Sequence, residues 1–211
     1  MSAPLIAMGV GLGLILIQLA RKMGSAKFAL LPSSVARGEI VKGMEQNPPA
    51  STLPIPPEST WVRLSIDGDD YLVSPVYLAP MGIGEAFEIA KANEWIVPTP
   101  RMVDAIWSAA DLKLEPHPQA HDGTLAMMNS RALTDNQNEY IQKQIDGRSF
   151  NLLGGTHKDV VLVDNAFGKA VNKPGIYGWH RTSGKVIQDP MWGHALSWKD
   201  YSQGLRPIKR V

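Results

Sequence analysis

The distribution of apolar residues along the 211-residue chain first singles out its N-terminus. Residues 1–20, MSAPLIAMGVGLGLILIQLA, contain no charged side chain, and Arg21 and Lys22 close the run. A helix of twenty residues is about 30 Å long, which matches the hydrocarbon thickness of a bilayer. A cleavable signal peptide would carry basic residues before the apolar run, whereas here they follow it. The pattern therefore predicts an uncleaved membrane anchor helix over residues 1–23, with a signal peptide or a buried helix as alternatives.

The predicted anchor also indicates a location and a mode of self-association. Basic residues on its C-terminal flank favour keeping that flank on the cytoplasmic side, because positive charge is retained there. Gly9 and Gly13 form a small-xxx-small face on which two such helices can approach closely. We therefore expect a membrane-anchored protein.

A proline-rich segment separates the anchor from the rest of the chain. Residues 24–60 contain small residues followed by NPPASTLPIPPEST, a composition typical of a stiff, extended spacer. From Trp61 onward WVRLSI alternates apolar and polar residues, DGDD predicts a turn, and YLVSPVYL returns as an extended segment. The sequence thus predicts a tether over residues 24–60 and one globular domain over residues 61–211 that begins with a hairpin.

Helical and strand periodicities are mixed in this domain. GIGEAFEIAKANEW and TPRMVDAIW place apolar residues at helical spacing, and Thr99 and Pro100 are typical of the first turn of the second helix. Residues 134–146 predict a polar surface helix. HKDVVLV and GIYGWH predict strands in the last third of the chain. Helices between two groups of strands indicate the α+β class, with mixed helices and antiparallel strands.

Charge and cysteine content narrow the possible functions. The chain has 21 basic and 20 acidic side chains and no long run of like charge, which argues against nucleic acid as its main ligand. It contains no cysteine, so disulfides, thiolate nucleophiles and cysteine-ligated zinc are all excluded.

Several short motifs resemble an uncharacterised family of secreted bacterial and phage-encoded proteins. The motifs of that family are "LPTRKMVDAIY", "GHKKDVV", "YGWH…G.PIQP" and "DYSHG.R". This chain has similar segments in the same order, namely VPTPRMVDAIW, GGTHKDVVL, IYGWH and DYSQGLR. The resemblance extends from Asp69 to Arg206. It implies a shared fold and an envelope or phage setting, so that the predicted anchor would belong to the bacterial inner membrane or envelope, or to a phage virion, and it transfers no catalytic residue. One departure is Gln203, which stands where the family motif has histidine.

Four residues near the predicted C-terminal strands form a candidate metal site. His157 and Asp159 point to the same face of a strand, because side chains alternate with a period of two. A simple antiparallel return brings residue 180 or 181 opposite His157, so His180 lies beside it, and His194 follows on the next loop. These nitrogen and oxygen ligands suit a zinc ion that activates water for amide hydrolysis. The alternative is that they are hydrogen-bonded core residues, since HExxH is absent.

The segment DYSQGLR provides a second set of candidates. It faintly resembles the SHGC-R stretch of L,D-transpeptidases, enzymes that act on peptidoglycan, although their nucleophilic cysteine is missing here. The resemblance makes Asp200, Tyr201, Ser202 and Arg206 candidate catalytic residues. In the alternative reading Tyr201 caps the core while the aspartate and the arginine pair near its rim.

These features predict an envelope-acting domain, most concretely a phage-associated, peptidoglycan-directed hydrolase with a His/Asp site and zinc as its candidate cofactor. A non-enzymatic virion or envelope module, positioned by the anchor and tether to bind a partner, is the alternative. Trp179, Trp192 and Trp198 suit either a sugar-binding surface or the core.

Overall fold

The structure is a computed structural model that describes residues 54–163 and 173–211. The predicted anchor over residues 1–23 and most of the predicted tether over residues 24–60 lie outside these ranges. Among the described helices, none is both long and apolar enough to cross a membrane. The described residues form a mixed α+β domain with antiparallel sheets, which confirms the predicted class.

Within the described residues, nine strands and four α-helices follow one another. The strands are β1 (Val62–Ile66), β2 (Asp69–Val73), β3 (Leu112–Lys113), β4 (Leu153–Gly154), β5 (Lys158–Val163), β6 (Lys173–His180), β7 (Val186–Met191), β8 (Gln203–Gly204) and β9 (Ile208–Arg210). The helices are α1 (Ile83–Ala92), α2 (Pro100–Ala109), α3 (Leu125–Met128) and α4 (Arg131–Ile145). A single 3-10 turn, Glu58–Thr60, precedes β1.

The predicted hairpin at the start of the domain belongs to a three-stranded sheet. β1 pairs with β2 in antiparallel register, and β9 pairs with the other edge of β2. Asp67 and Gly68 form the turn with positive φ angles of 54° and 89°. A two-residue turn with positive φ at both positions matches the twist of an antiparallel pair, which explains the DG sequence.

The larger sheet has the strand order β7-β6-β5-β8. β5 and β6 are the predicted strands HKDVVLV and GIYGWH, and they pair in antiparallel register. β8 joins the other side of β5 in parallel register, which brings the C-terminal segment DYSQGLR next to β5. The strand pair β3-β4 is parallel and stands apart from both larger sheets.

Helix α2 carries the predicted N-cap. The hydroxyl of Thr99 accepts a hydrogen bond from the backbone N–H of Met102, and Pro100 occupies the first helical position, where no N–H is needed. Met102, Val103 and Ile106 are buried on one side of the helix. Val103 packs on β5 and β6, whereas Met102 and Ile106 pack against the three-stranded sheet, so α2 lies between the two sheets and borders the site described below.

Helix α4 begins at Arg131 rather than at residue 134, where the apolar pattern predicted its start. Ser130 is the reason, because its hydroxyl accepts a hydrogen bond from the N–H of Leu133 and caps the first turn. The helix is otherwise polar and amphipathic as predicted, with Ile141 among its buried residues.

The last residues of the predicted tether lie against the domain. Ile55 packs against the hydrophobic cluster that contains α1, and the indole N–H of Trp61 donates a hydrogen bond to the carbonyl oxygen of Pro56. The Trp61 ring also lies 5.8 Å from the ring of Trp95. These contacts fix where the chain enters the fold.

Candidate functional site

A small recess lies between α2 and the face of β5 and β6. The free space inside is about 10 Å³, which accommodates about one water molecule. Its lining combines apolar residues of α2 with polar and aromatic residues from several parts of the chain. The chemically relevant ones are Tyr77, Trp107, His157, Asp159, His180 and Arg206.

Side chains at the start of β5 alternate between the two sides of the sheet, as a period of two requires. His157, which directly precedes β5, and Asp159 both line the recess, whereas the intervening Lys158 binds Asp200 on the other side of the sheet. The predicted placement of His157 and Asp159 on one face is therefore what the structure has.

The register between β5 and β6 differs by one residue from the simple return predicted from the sequence. Lys158 pairs with Gly178 at the end of the ladder, and continuing this register by one residue would place Trp179, not residue 180, opposite His157. Gly178 and Trp179 both have positive φ, at 97° and 57°, and the pairing of β6 with β7 shifts register at the same place. Such a bulge changes the alternation of side chains along a strand. As a consequence, His180 lines the same recess as Asp159.

His180 is held by a carboxylate and an indole ring. Its Nε2 lies 2.9 Å from Oδ1 of Asp104, and its ring stacks on Trp107 with 5.2 Å between centroids. An ionised carboxylate only accepts hydrogen bonds, so Nε2 carries the proton and Nδ1 of the neutral ring does not. Burial lowers the pKa of His180, and the neighbouring Asp104 opposes this effect.

Asp104 is the most open group at the site, with 46% of its side chain exposed. Its Oδ1 accepts a hydrogen bond from the hydroxyl of Tyr177 at 2.9 Å as well as the one from His180. Two donors on one oxygen fix the orientation of the carboxylate on α2. The sequence analysis did not single out Asp104. Its position in VPTPRMVDAIW, directly after the buried Val103, was a usable signal, because it places an acid next to the buried side of the helix.

The inner part of the recess contains a buried carboxyl. Tyr77 donates a hydrogen bond of 2.9 Å to Oδ2 of Asp159. Burial raises the pKa of Asp159 to about 7, although the Arg206 guanidinium and the Tyr77 hydroxyl both act against this shift. Oδ2 of Asp159 and Nδ1 of His180 lie 3.6 and 3.5 Å from the point where a Cβ on Gly178 would stand. Glycine at this position therefore leaves the space between the two groups open.

Arg206 and His157 complete the inner part. The guanidinium of the fully buried Arg206 donates to the carbonyl oxygens of Ser74 and Leu153, at 2.8 and 2.5 Å, and lies 3.8 Å from the centre of the Tyr77 ring. Burial, aided by the charge of Arg206, lowers the pKa of His157 to about 3. His157 is thus a neutral ring at physiological pH.

The shifted pKa values of His157 and Asp159 act in opposite directions on stability. The unfolded chain binds a proton at His157 below about pH 6.5, whereas the folded protein binds it only near pH 3. The contribution of His157 to the free energy of unfolding is therefore full above pH 6.5 and is lost as pH falls towards 3. Asp159 takes up a proton in the folded protein near pH 7 and in the unfolded chain only near pH 3.8. Its contribution is therefore full below pH 3.8 and is lost as pH rises to about 7.

We expect these two contributions to cancel in slope between about pH 4 and pH 6.5 and to separate in single variants. Relative to the wild type, His157→Gln should lose unfolding free energy as pH rises through this window, and Asp159→Asn should gain it. The slope should approach about 1.4 kcal/mol per pH unit in each case. Urea denaturation at several pH values measures it, and parallel curves for both variants and the wild type would contradict the assignment.

The remaining predicted candidates lie away from the recess. His194 stacks on Trp198 with 4.3 Å between ring centroids and is not part of the recess lining. Asp200 accepts hydrogen bonds from Lys158 at 2.7 Å and from the hydroxyl of Ser202 at 2.8 Å. The hydroxyl of Tyr201 accepts one from the backbone N–H of Gln119. Of the residues in the DYSQGLR segment that were candidates, Arg206 lines the recess.

The four predicted metal ligands are thus divided, with His157, Asp159 and His180 on the recess and His194 elsewhere. Across residues 54–163 and 173–211, no three histidine, aspartate or glutamate side chains are grouped so that they could hold a metal ion.

Gln203, at the position where the resembled family has histidine, links two loops. Its side chain is fully buried, and its Nε2 donates to the carbonyl oxygens of Met81 and Trp198 at 2.7 and 3.0 Å. It is not among the residues that line the recess. In this chain residue 203 therefore serves as a structural cross-link.

Comparison with known proteins gives no match to any family model, curated protein or solved structure.

Proposed function

We propose that this chain is a membrane-anchored hydrolase of the cell envelope, associated with a phage, whose His/Asp site cleaves amide bonds of peptidoglycan. The observation that carries the proposal is the hydrogen bond between the half-exposed Asp104, which lies beside the recess, and the buried His180, which lines it. Titratable groups whose pKa values are perturbed by burial and that line one cleft are typical of catalytic sites. Asp159 and His157, with their shifted pKa values, are of this kind.

In the proposed reaction Asp104 acts as general base. Its carboxylate accepts a proton from a water molecule while the water oxygen bonds to the carbonyl carbon of the amide. The carbon–nitrogen bond then breaks, and the proton moves from Asp104 to the leaving nitrogen. One water is consumed and the carboxylate is regenerated. His180 and Tyr177 are positioning residues, since both hydrogen-bond to Oδ1 of Asp104 and hold the carboxylate in place.

The choice of peptidoglycan rests on the sequence. An anchor over residues 1–23 and a stiff tether would hold the domain within reach of the envelope, and the resemblance implies an envelope or phage setting. Zinc is the alternative source of the activated water; His157, Asp159 and His180 would have to move together to hold it, because no three ligands are grouped among the described residues. A chelator distinguishes the two routes, because zinc-dependent cleavage is lost on metal removal.

We expect the full-length chain, purified in detergent, to release free amino groups from purified peptidoglycan and to do so equally in the presence of EDTA. The reason is that the proton transfers are assigned to Asp104. Labelling of new amino groups over time measures the reaction, and heat-denatured protein provides the blank. Loss of activity in EDTA that zinc restores would transfer the role of Asp104 to the metal, and inactivity under every condition would refute the hydrolase.

A non-enzymatic envelope module is the second candidate, and one specific observation favours it. The recess has space for about one water molecule, and most of its polar groups are buried. Buried polar networks of this kind also serve to define a unique core. In that case the full-length chain should sediment with purified peptidoglycan and release no amino groups from it.

A further inference from the structure

The charge of Arg206 is only partly compensated by its surroundings. Its side chain is fully buried, and its hydrogen bonds go to two backbone carbonyl oxygens. None of the ion pairs found between described residues includes Arg206. Burying a cation is costly unless it is paired and fully hydrogen-bonded. A ligand of negative charge would therefore be stabilised beside it.

Two nitrogen atoms of residues that line the recess lack partners. Nε of Arg206 and Nδ1 of His157 are both buried, and neither has a hydrogen-bond partner among the described residues. Nε of an arginine is always a donor, and Nδ1 of a neutral histidine is a donor in one of its two tautomers. An unpartnered buried donor costs about 1–3 kcal/mol, so the site favours an occupant that accepts hydrogen bonds.

The size of the space limits what this occupant is. About 10 Å³ holds about one water molecule, so a carboxylate or phosphate group is too large and a single atom is the largest occupant. We propose that the recess binds one monatomic, monovalent anion, chloride, through Nε of Arg206 and Nδ1 of His157, with a small outward shift of the lining side chains because chloride is larger than water. The proposed anion site does not depend on the proposed hydrolase reaction, and each proposal is tested by its own experiment.

Asp159 is the group that competes with such an anion. Its carboxyl lines the same recess and is hydrogen-bonded by Tyr77. A carboxylate at this position offsets the charge of Arg206 that the anion would otherwise use. An amide at this position keeps the shape and removes the competing charge, so Asp159→Asn should bind the anion more tightly than the wild type.

The test is thermal unfolding of the full-length chain in sodium chloride and in sodium gluconate at equal ionic strength. The midpoint should rise with chloride by about 3 °C once chloride reaches about ten times its dissociation constant. The rise should be larger in Asp159→Asn and absent in Arg206→Met. Arg101→Met provides the matched control, because Arg101 is exposed and pairs with Asp67 at the surface, and it should respond as the wild type does.

Crystals grown with sodium bromide make the test independent of variants that fail to fold. Bromide scatters anomalously, and a peak within hydrogen-bond reach of Arg206 Nε supports the site. Equal unfolding midpoints in chloride and gluconate for both wild type and Asp159→Asn, with no bromide peak in the recess, would overturn it and leave water as the occupant.

Discussion

Replacing Asp104 with asparagine is expected to lower the rate of peptidoglycan cleavage by about 10²- to 10⁴-fold, the usual contribution of a general base. Asparagine keeps the size of the side chain and cannot accept the proton from water. The fold should survive, because the side chain is 46% exposed. Release of amino groups measures the loss. Asp135→Asn is the matched control, since Asp135 is an exposed acid on α4, and it should retain full activity.

Two histidine variants test whether His180, which contacts Asp104, affects the rate of cleavage and whether His194, which lies outside the recess, does not. His180→Ala removes one of the two donors that hold Oδ1 of Asp104 in place, so the rate should fall. Imidazole added to the His180→Ala variant should restore part of the rate, an effect that a purely structural role would not produce. His194→Gln should leave the rate unchanged, because His194 lies outside the recess. Full activity in Asp104→Asn would refute the assignment of the base.

Local signals in the sequence were sufficient for much of the fold. The DG turn predicted the first hairpin, and Thr99 with Pro100 predicted the start of α2, because caps and turns depend on residues that are adjacent in the chain. Ser130 was missed as the cap of α4, since the start was placed from the apolar pattern alone. Strands β3, β4 and β8 have only two residues each, which is too short for any periodicity to predict them.

The candidate site could be predicted only in part, because it is assembled from distant segments. His157, Asp159 and His180 were singled out from two strands that pair as predicted. Tyr77 meets Asp159 across 82 positions of the chain, and Asp104 meets His180 across 76 positions. No local pattern records such contacts.

The bulge at Gly178 and Trp179 shows how a backbone detail decides which side chains meet. Without the positive φ values at these two positions, the regular alternation along β6 would place residue 180 on the face opposite that of residue 179. Tryptophan rarely adopts positive φ, so its sequence neighbourhood gives no warning of the change. The site therefore depends on a conformation that sequence patterns do not predict.

In the DYSQGLR segment, Asp200 and Arg206 have other partners than the sequence suggested. Asp200 and Arg206 were expected to pair near the rim of the core as the alternative to a catalytic role. Parallel pairing of β8 with β5 instead brings Lys158 to Asp200, with 2.7 Å between Nζ and Oδ2. Arg206 is directed to the recess on the other side. One short segment thus supports both faces of β5.

The Lys158–Asp200 pair is where we expect the largest loss of stability. The two side chains are 9% and 1% exposed, and Asp200 also accepts hydrogen bonds from Ser202. Replacing Lys158 with methionine keeps the apolar stem and leaves the carboxylate buried without its cation. Removing one partner of a buried pair costs about 3–5 kcal/mol. Urea denaturation of the full-length chain should show a loss of this size.

Lys143→Met is the matched control, since Lys143 pairs with Glu139 at the surface of α4 with both side chains more than 60% exposed. An exposed pair contributes about 0–1 kcal/mol, so this variant should unfold almost as the wild type does. The double variant Lys158→Met/Asp200→Leu should recover much of the stability lost in Lys158→Met, because no charge is then left unpaired. Equal losses in Lys158→Met and Lys143→Met would mean that Asp200 is compensated by its hydrogen bonds to Ser202 alone.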